Sequence, residues 1–207
     1  MAEGVRLAHP ELLEITGEDG AVYYGADQDW YRTVWQQKAG CGPTAASVQL
    51  SYLARAREIS TLYEFPDTRR ETFVDYMEDV WKCVTPGIRG LNKVSMYTDG
   101  VERFAALRGI AVRTHALEVP AHPGRPDLSD CCAFVEEGLR RDCPVAFLNL
   151  HNGEETRLDK WHWVLITGLE QRPGELACTL ADSGNRLEID LALWYRTARD
   201  LGGFVWM

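Results

Sequence analysis

The residue with the clearest chemical potential is Cys41, set in the run Ala39-Gly40-Cys41-Gly42-Pro43-Thr44-Ala45-Ala46-Ser47. A proline just after the cysteine suits the first turn of a helix, where no backbone donor is wasted. The flanking glycines allow close backbone approach to a substrate. Cys41 is therefore expected at a helix N-terminus. The unpaired N–H groups and the positive end of the dipole there favour negative charge on sulfur. A thiolate is the nucleophile in covalent cysteine catalysis. The structural alternative is a small buried cysteine ahead of a core helix.

A nucleophilic cysteine needs a base, and the chain has five histidines: His9, His115, His122, His151 and His162. His162 is the preferred candidate because it opens the most apolar stretch, His162-Trp163-Val164-Leu165-Ile166-Thr167-Gly168. A polar residue at the mouth of a buried strand sits on a rigid support. His151 is the reserve. His9 falls in the acidic N-terminal stretch, His122 in the proline-rich loop and His115 on a short strand, where ordinary exposed or half-buried polar roles are expected. An imidazole base also needs an acceptor that fixes its tautomer. Asp182, in Ala181-Asp182-Ser183-Gly184-Asn185, ends the following strand and stands 20 residues after His162. A hairpin joining the two strands brings them together. Asn185 is the weaker choice, and an Asx turn is the ordinary role for Asp182. An oxyanion would be held by the Cys41 N–H and a glutamine side chain, either Gln36 or Gln28.

These residues require particular elements. Helices are expected over 43–58, 68–83, 99–107, 130–140 and 190–197. Strands are expected over 110–117, 144–149, 162–169, 176–181, 186–189 and 203–207. The segment 120–126 holds three prolines and reads as a loop. Helices first and closely spaced strands second give an α+β class, with the Cys41 helix packed on a C-terminal antiparallel sheet.

Composition narrows the function. The 207 residues carry a net charge of −9, which argues against nucleic acid or an anionic membrane surface as partner. Seven carboxylates against the single cation Arg6 crowd residues 1–30, so residues 1–22 read as a solvated acidic extension before a domain at 23–207. No apolar run is long enough for a membrane span, and no secretory leader is read at the start. A cytoplasmic location follows as the expectation. The six cysteines are then expected as free thiols. With no Cys-x-x-Cys and no His-x-x-x-His, no metal and no cofactor are expected.

Gly-Cys-Gly-Pro-Thr-Ala-Ala-Ser, then His-Trp-Val-Leu-Ile-Thr-Gly, then Ala-Asp-Ser-Gly-Asn resembles the papain-like cysteine peptidases. The branch it is most similar to is that of bacteriocin-leader-processing peptidases and their stand-alone bacterial relatives. The likeness runs from about residue 23 to the C-terminus and includes Tyr24-Gly-Ala-Asp-Gln28-Asp-Trp30 and Cys143-Pro-Val-Ala-Phe147. It implies a papain-like fold, Cys41 as nucleophile, His162 as base and Asp182 as orienting group. Gln36 lies nearer the usual tight spacing, while Gln28 matches the Gln…Trp context, so both stay open. The resemblance implies a hydrolase acting on a peptide or small amide through an acyl-enzyme; separately, a monomeric or weakly associating chain is expected. An acyltransferase on the same site is a variant. The alternatives are a silent module that binds peptides or a protein, to which seven tryptophans would be suited, and a redox-sensing thiol.

Overall fold

Small side chains decide where the central helix lies. In the computed structural model, which describes residues 4–121 and 123–207, Gly42, Ala45, Ala46 and Ser47 are all buried. In chain order the elements are β1 (Val5–Arg6), β2 (Glu14–Thr16), β3 (Val22–Tyr24), α1 (Val34–Ala39) and α2 (Cys41–Ala56). Next come α3 (Arg70–Trp81), α4 (Val94–Leu107), β4 (His115–Val119), α5 (Leu128–Arg140) and β5 (Val145–Asn149). The chain finishes with β6 (His162–Arg172), β7 (Glu175–Asp182), β8 (Asn185–Asp190), α6 (Leu191–Thr197) and β9 (Gly202–Trp206). The class is α+β. No helix among the described residues is long and apolar enough to cross a membrane.

The main sheet runs β4-β9-β5-β6-β7-β8, with every neighbouring pair antiparallel. A Cβ on Gly203 of β9 would meet Val94 of α4, whereas Trp206 of the same strand abuts Gly138 of α5. Residues three apart on a strand point to opposite faces, so helices cover the sheet on both sides. That is why β5 and β9 are buried at every position instead of alternating. The second face of β5 is closed by aromatics: Phe147 lies 4.7 Å from Trp194 and 5.0 Å from Phe204 between ring centroids. The helix α2 is buried almost all round, against β6, α3 and α4.

Most expected elements are present, with shifted ends. The largest shifts have local causes. The helix expected from residue 99 starts at Val94, because the buried stripe Val94, Tyr97, Val101 and Phe104 extends one turn further back. The strand expected over 110–117 is only half correct. Thr114 donates its N–H to Glu102 Oε1, and pairing with β9 begins at His115. The short helix α1, the strand β1 and the β2–β3 hairpin were not anticipated.

The expectation of a solvated acidic stretch over 1–22 is corrected for its described residues. Leu7, Leu13 and Ile15 are at most 2% exposed. The carboxylates that suggested solvation alternate with these core residues. Strand β1 pairs with Gly168 and Leu169 of β6, covering the edge of β6 beyond its pairing with β5. Strand β3 approaches the β7–β8 turn: Tyr24 donates to the Gly184 carbonyl, and Gly184 donates to that of Ala26. The segment thus braces the turn that follows Asp182.

Candidate active site

Cys41 is the first residue of α2, reached through Gly40 in a near-helical conformation. The short helix α1 ahead of it is fixed by a capping box between Thr33 and Gln36. The two flanking glycines serve packing, not substrate approach. A Cβ on Gly40 would lie 2.8 Å from Tyr31 Cε2, and one on Gly42 would lie 2.5 Å from Leu91 Cδ2. Contacts that close do not occur, so the glycines let Tyr31 and Leu91 clamp the backbone on either side of the thiol.

His162 and Asp182 are positioned by strand register. Antiparallel β6 and β7 bring the start of one beside the end of the other. His162 Nε2 lies 2.7 Å from Asp182 Oδ1, and each side chain is only 13% exposed. The Cys41 side chain lines the same pocket as this ring. With Nε2 committed to Asp182, Nδ1 is the ring nitrogen left for other partners. Cys41 Sγ also lies 4.0 Å from the Trp161 carbonyl. Burial alone would lower the imidazole's pKa. The hydrogen bonds and charges of Asp182 and Cys41 more than offset burial, and His162 is pushed up to about 10. Burial pulls Asp182 the other way, but His162 and then the Ser183 hydroxyl hold its carboxyl below the ordinary value.

Backbone strain sits beside both groups. Only four non-glycine residues among those described have positive φ, and two of them, Trp161 at 56° and Ser183 at 47°, adjoin His162 and Asp182. A bulky residue in that region is an outlier that its surroundings must enforce. Trp161 ends a loop tied down by buried polar groups. Asn149, fully buried, donates to the Asp159 carbonyl at 2.6 Å and accepts from Trp194 Nε1 at 2.8 Å. Glu155, 2% exposed, accepts from Arg157 and from the Asp190 N–H. Neither residue drew notice in the sequence, since an Asn at a strand end and a Glu in a polar loop both read as surface groups. Ser183 and Gly184 both have positive φ and form the two-residue turn of the β7–β8 hairpin.

The glutamines separate. Gln36 is spent on structure, with Oε1 closing the α1 capping box and Nε2 donating to Glu78 at 2.6 Å. Gln28 lines the same pocket as Cys41, Thr44, His162 and Asp182, about 320 Å³ in volume. One Gln28 N–H donates to the Gln37 carbonyl at 2.7 Å, which leaves its second N–H for a ligand. The other histidines lie elsewhere. His151 accepts from the Gly153 N–H beside a separate pocket with Arg125 and Arg196. His9 pairs with Glu11, and His115 stacks on Trp206. His122 is outside the described residues. Asn185 donates to the Ser183 carbonyl and so serves the turn. No group of three or more His, Cys, Asp or Glu side chains with metal-site geometry occurs among the described residues.

No family model matches the chain, and no curated protein is similar to it.

Proposed function

We propose that the chain is a papain-like cysteine peptidase, similar to the stand-alone relatives of bacteriocin-leader-processing peptidases, that hydrolyses a peptide or small amide bond. The observation carrying this reading is that thiol, imidazole and carboxylate line one pocket, with the ring held by Asp182 through Nε2 so that its other nitrogen is left for Cys41. Its six free cysteines suit the reducing cytoplasm.

The proposed steps use these groups in turn. Cys41 Sγ attacks the substrate carbonyl carbon, forming a carbon–sulfur bond. The oxygen takes the electron pair and is held by the Cys41 N–H and Gln28 Nε2. The tetrahedral intermediate collapses, the carbon–nitrogen bond breaks, and the imidazolium of His162 protonates the departing amine. Water then attacks the thioester with neutral His162 as base. The carboxylic acid leaves, and the thiol and imidazole regain their starting protonation. Asp182 keeps its charge throughout and fixes the ring.

Labelling the intact protein with iodoacetamide at pH 6, with sites mapped by mass spectrometry, tests the reading. Burial pushes the Cys131 thiol up to about 12 and that of Cys143 up to about 11. These thiols stay protonated at pH 6 and should react slowly. Cys41 should be labelled selectively, and His162→Ala should slow that labelling. Equal, slow labelling of all six cysteines sinks the reading and favours a silent binding module.

A further inference from the structure

A cavity of about 980 Å³ lies where the end of α6 meets the connection from β5 to β6, and it shares no lining residue with the pocket around Cys41. Arg125, Arg196, Arg199 and His151 line it, against one carboxylate, Glu154, among the described residues. None of the three arginines pairs with a carboxylate among those residues. The chain carries −9 overall, so three unpaired arginines on one cavity are a local reversal of charge. A cation at the end of a helix is ordinary when it caps the last carbonyls. Arg125 already does so, donating to the carbonyls of Tyr195 at 2.5 Å and Ala198 at 3.1 Å. Arg196 and Arg199 are exposed and make no such bond among the described residues.

The walls are set before any ligand arrives. The Arg125 guanidinium also lies 4.3 Å from the centroid of the Tyr195 ring, so its charge is held in one place with donors to spare. On the loop side, Gly153 has φ 62°, and a Cβ there would lie 2.1 Å from Thr197 Oγ1. The same hydroxyl accepts from the Glu154 N–H at 2.9 Å. The loop is thus locked onto the end of α6, and Glu154 is carried with it. His151 Nδ1 accepts from the Gly153 N–H at 3.0 Å, so the neutral ring carries its proton on Nε2. That N–H is a further donor on the lining.

We infer that this cavity binds a small phosphomonoester carrying hydroxyl groups, with the arginines and His151 on its phosphate and Glu154 on its hydroxyls. Phosphate oxygens accept the forked N–H pairs of guanidinium groups. The lining carries two more positive than negative charges, which matches the dianion of a phosphomonoester. Phosphate alone would leave most of the volume empty and would meet Glu154 as a repelling charge. Hydroxyl groups on the same molecule fill the space and turn that carboxylate into a partner. The site does not depend on the peptidase reading, since no group of the thiol pocket takes part.

Calorimetric titration of the intact chain in low salt, with inorganic phosphate and with glucose 6-phosphate, tests the site. Glucose 6-phosphate should bind saturably and about tenfold more tightly than phosphate, the scale of one or two hydrogen bonds to a charged group. Arg196→Gln combined with Arg199→Gln should weaken both probes roughly tenfold, the scale of two exposed charge contacts. Glu154→Gln should tighten phosphate and narrow the preference for the sugar ester. All three positions are exposed, so these changes leave the fold in place, and melting curves verify it. Arg140→Gln combined with Arg141→Gln removes two cations from α5, each paired there with a glutamate, and should leave both titrations unchanged. Equal affinity for the two probes overturns the assignment of a hydroxyl-bearing ester. Failure of either probe to saturate the protein, or an equal loss of affinity in the α5 variant, overturns the site itself.

Discussion

Cys41 and His162 reach the same small space by opposite means. On the helical side the thiol is set by contact: Tyr31 and Leu91 press on glycines either side of it, and a methyl group at either glycine would collide. On the sheet side His162 and Asp182 are set by register and by two residues held at positive φ, Trp161 and Ser183. Packing is short-ranged and unforgiving, so it fixes one atom through a few neighbours. Register is propagated along a ladder of hydrogen bonds, so it fixes a pair through many. The helical side should therefore fail sharply when a single atom is added. The sheet side should fail gradually and chiefly through its polar contacts.

The largest effect expected on the sheet side comes from Asp182. Asp182→Ala leaves Nε2 of His162 without its acceptor, and alkylation of Cys41 at pH 6 should fall roughly 100-fold, the upper range for removing a group that orients a histidine. Asp182→Asn retains an oxygen that accepts the ring N–H and should lose only about tenfold. If both variants lose melting temperature while thiol reactivity stays unchanged, Asp182 merely shapes the turn. The helical side is tested by Gly42→Ala, which overpacks Leu91. It should cost about 1–3 kcal/mol in chemical denaturation. Leu91→Ala in the same chain should recover part of that cost by making room. Failure of the second change to rescue would mean that the Leu91 contact is not what holds the thiol.

The two sides were not equally legible in the sequence. Cys41, His162 and Asp182 were readable because each lies where a pattern changes: a proline-marked helix start, the first residue of an apolar run, and the last residue before Ser-Gly. Spacing could not choose between Gln28 and Gln36, because both precede the cysteine and both are amides. The choice depends on Thr33 and Glu78, which occupy both ends of Gln36, and Glu78 is 42 residues away. The role of residues 4–26 was hidden for a similar reason. Leu7, Leu13 and Ile15 are too few and too interspersed with carboxylates to mark an element by themselves, and their burial depends on contacts with β6 and α2 elsewhere in the chain. Gly40 and Gly42 were seen, but their purpose was misread: a glycine pair looks the same whether a substrate or a protein side chain approaches it.

The polar contact on the sheet side carries a pH signature. His162 is raised from its ordinary 6.5 to about 10, so its contribution to stability is complete below 6.5 and disappears as pH climbs toward 10. Asp182 is lowered from its ordinary 3.8, so its contribution is present above that value and is lost as pH falls below it. The stability gap between the wild-type protein and Asp182→Ala should therefore be widest between pH 3.8 and 6.5 and narrow steadily toward pH 10. Urea unfolding at several pH values measures it. A gap of constant size across this range would show that the ion pair adds nothing beyond packing.

The smallest effect separates strain from hydrogen bonding at the β7–β8 turn. Ser183 adopts φ 47° next to Gly184 at 73°, the conformation in which Asn-Gly is favoured over Ser-Gly. Its hydroxyl also donates to Asp182 Oδ1 at 3.0 Å, one of the contacts that hold that carboxyl low. Ser183→Asn relieves the backbone, because asparagine enters this region at less cost, and should raise stability by a few tenths of a kcal/mol. The same change removes a donor from Asp182, so the acid limb of the stability profile should move slightly toward higher pH. Alkylation of Cys41 at neutral pH should stay the same, since the bond from His162 to Asp182 is untouched. A loss of stability together with slower alkylation would show that the Ser183 hydroxyl, and not the register of the strands, is what holds Asp182 against His162.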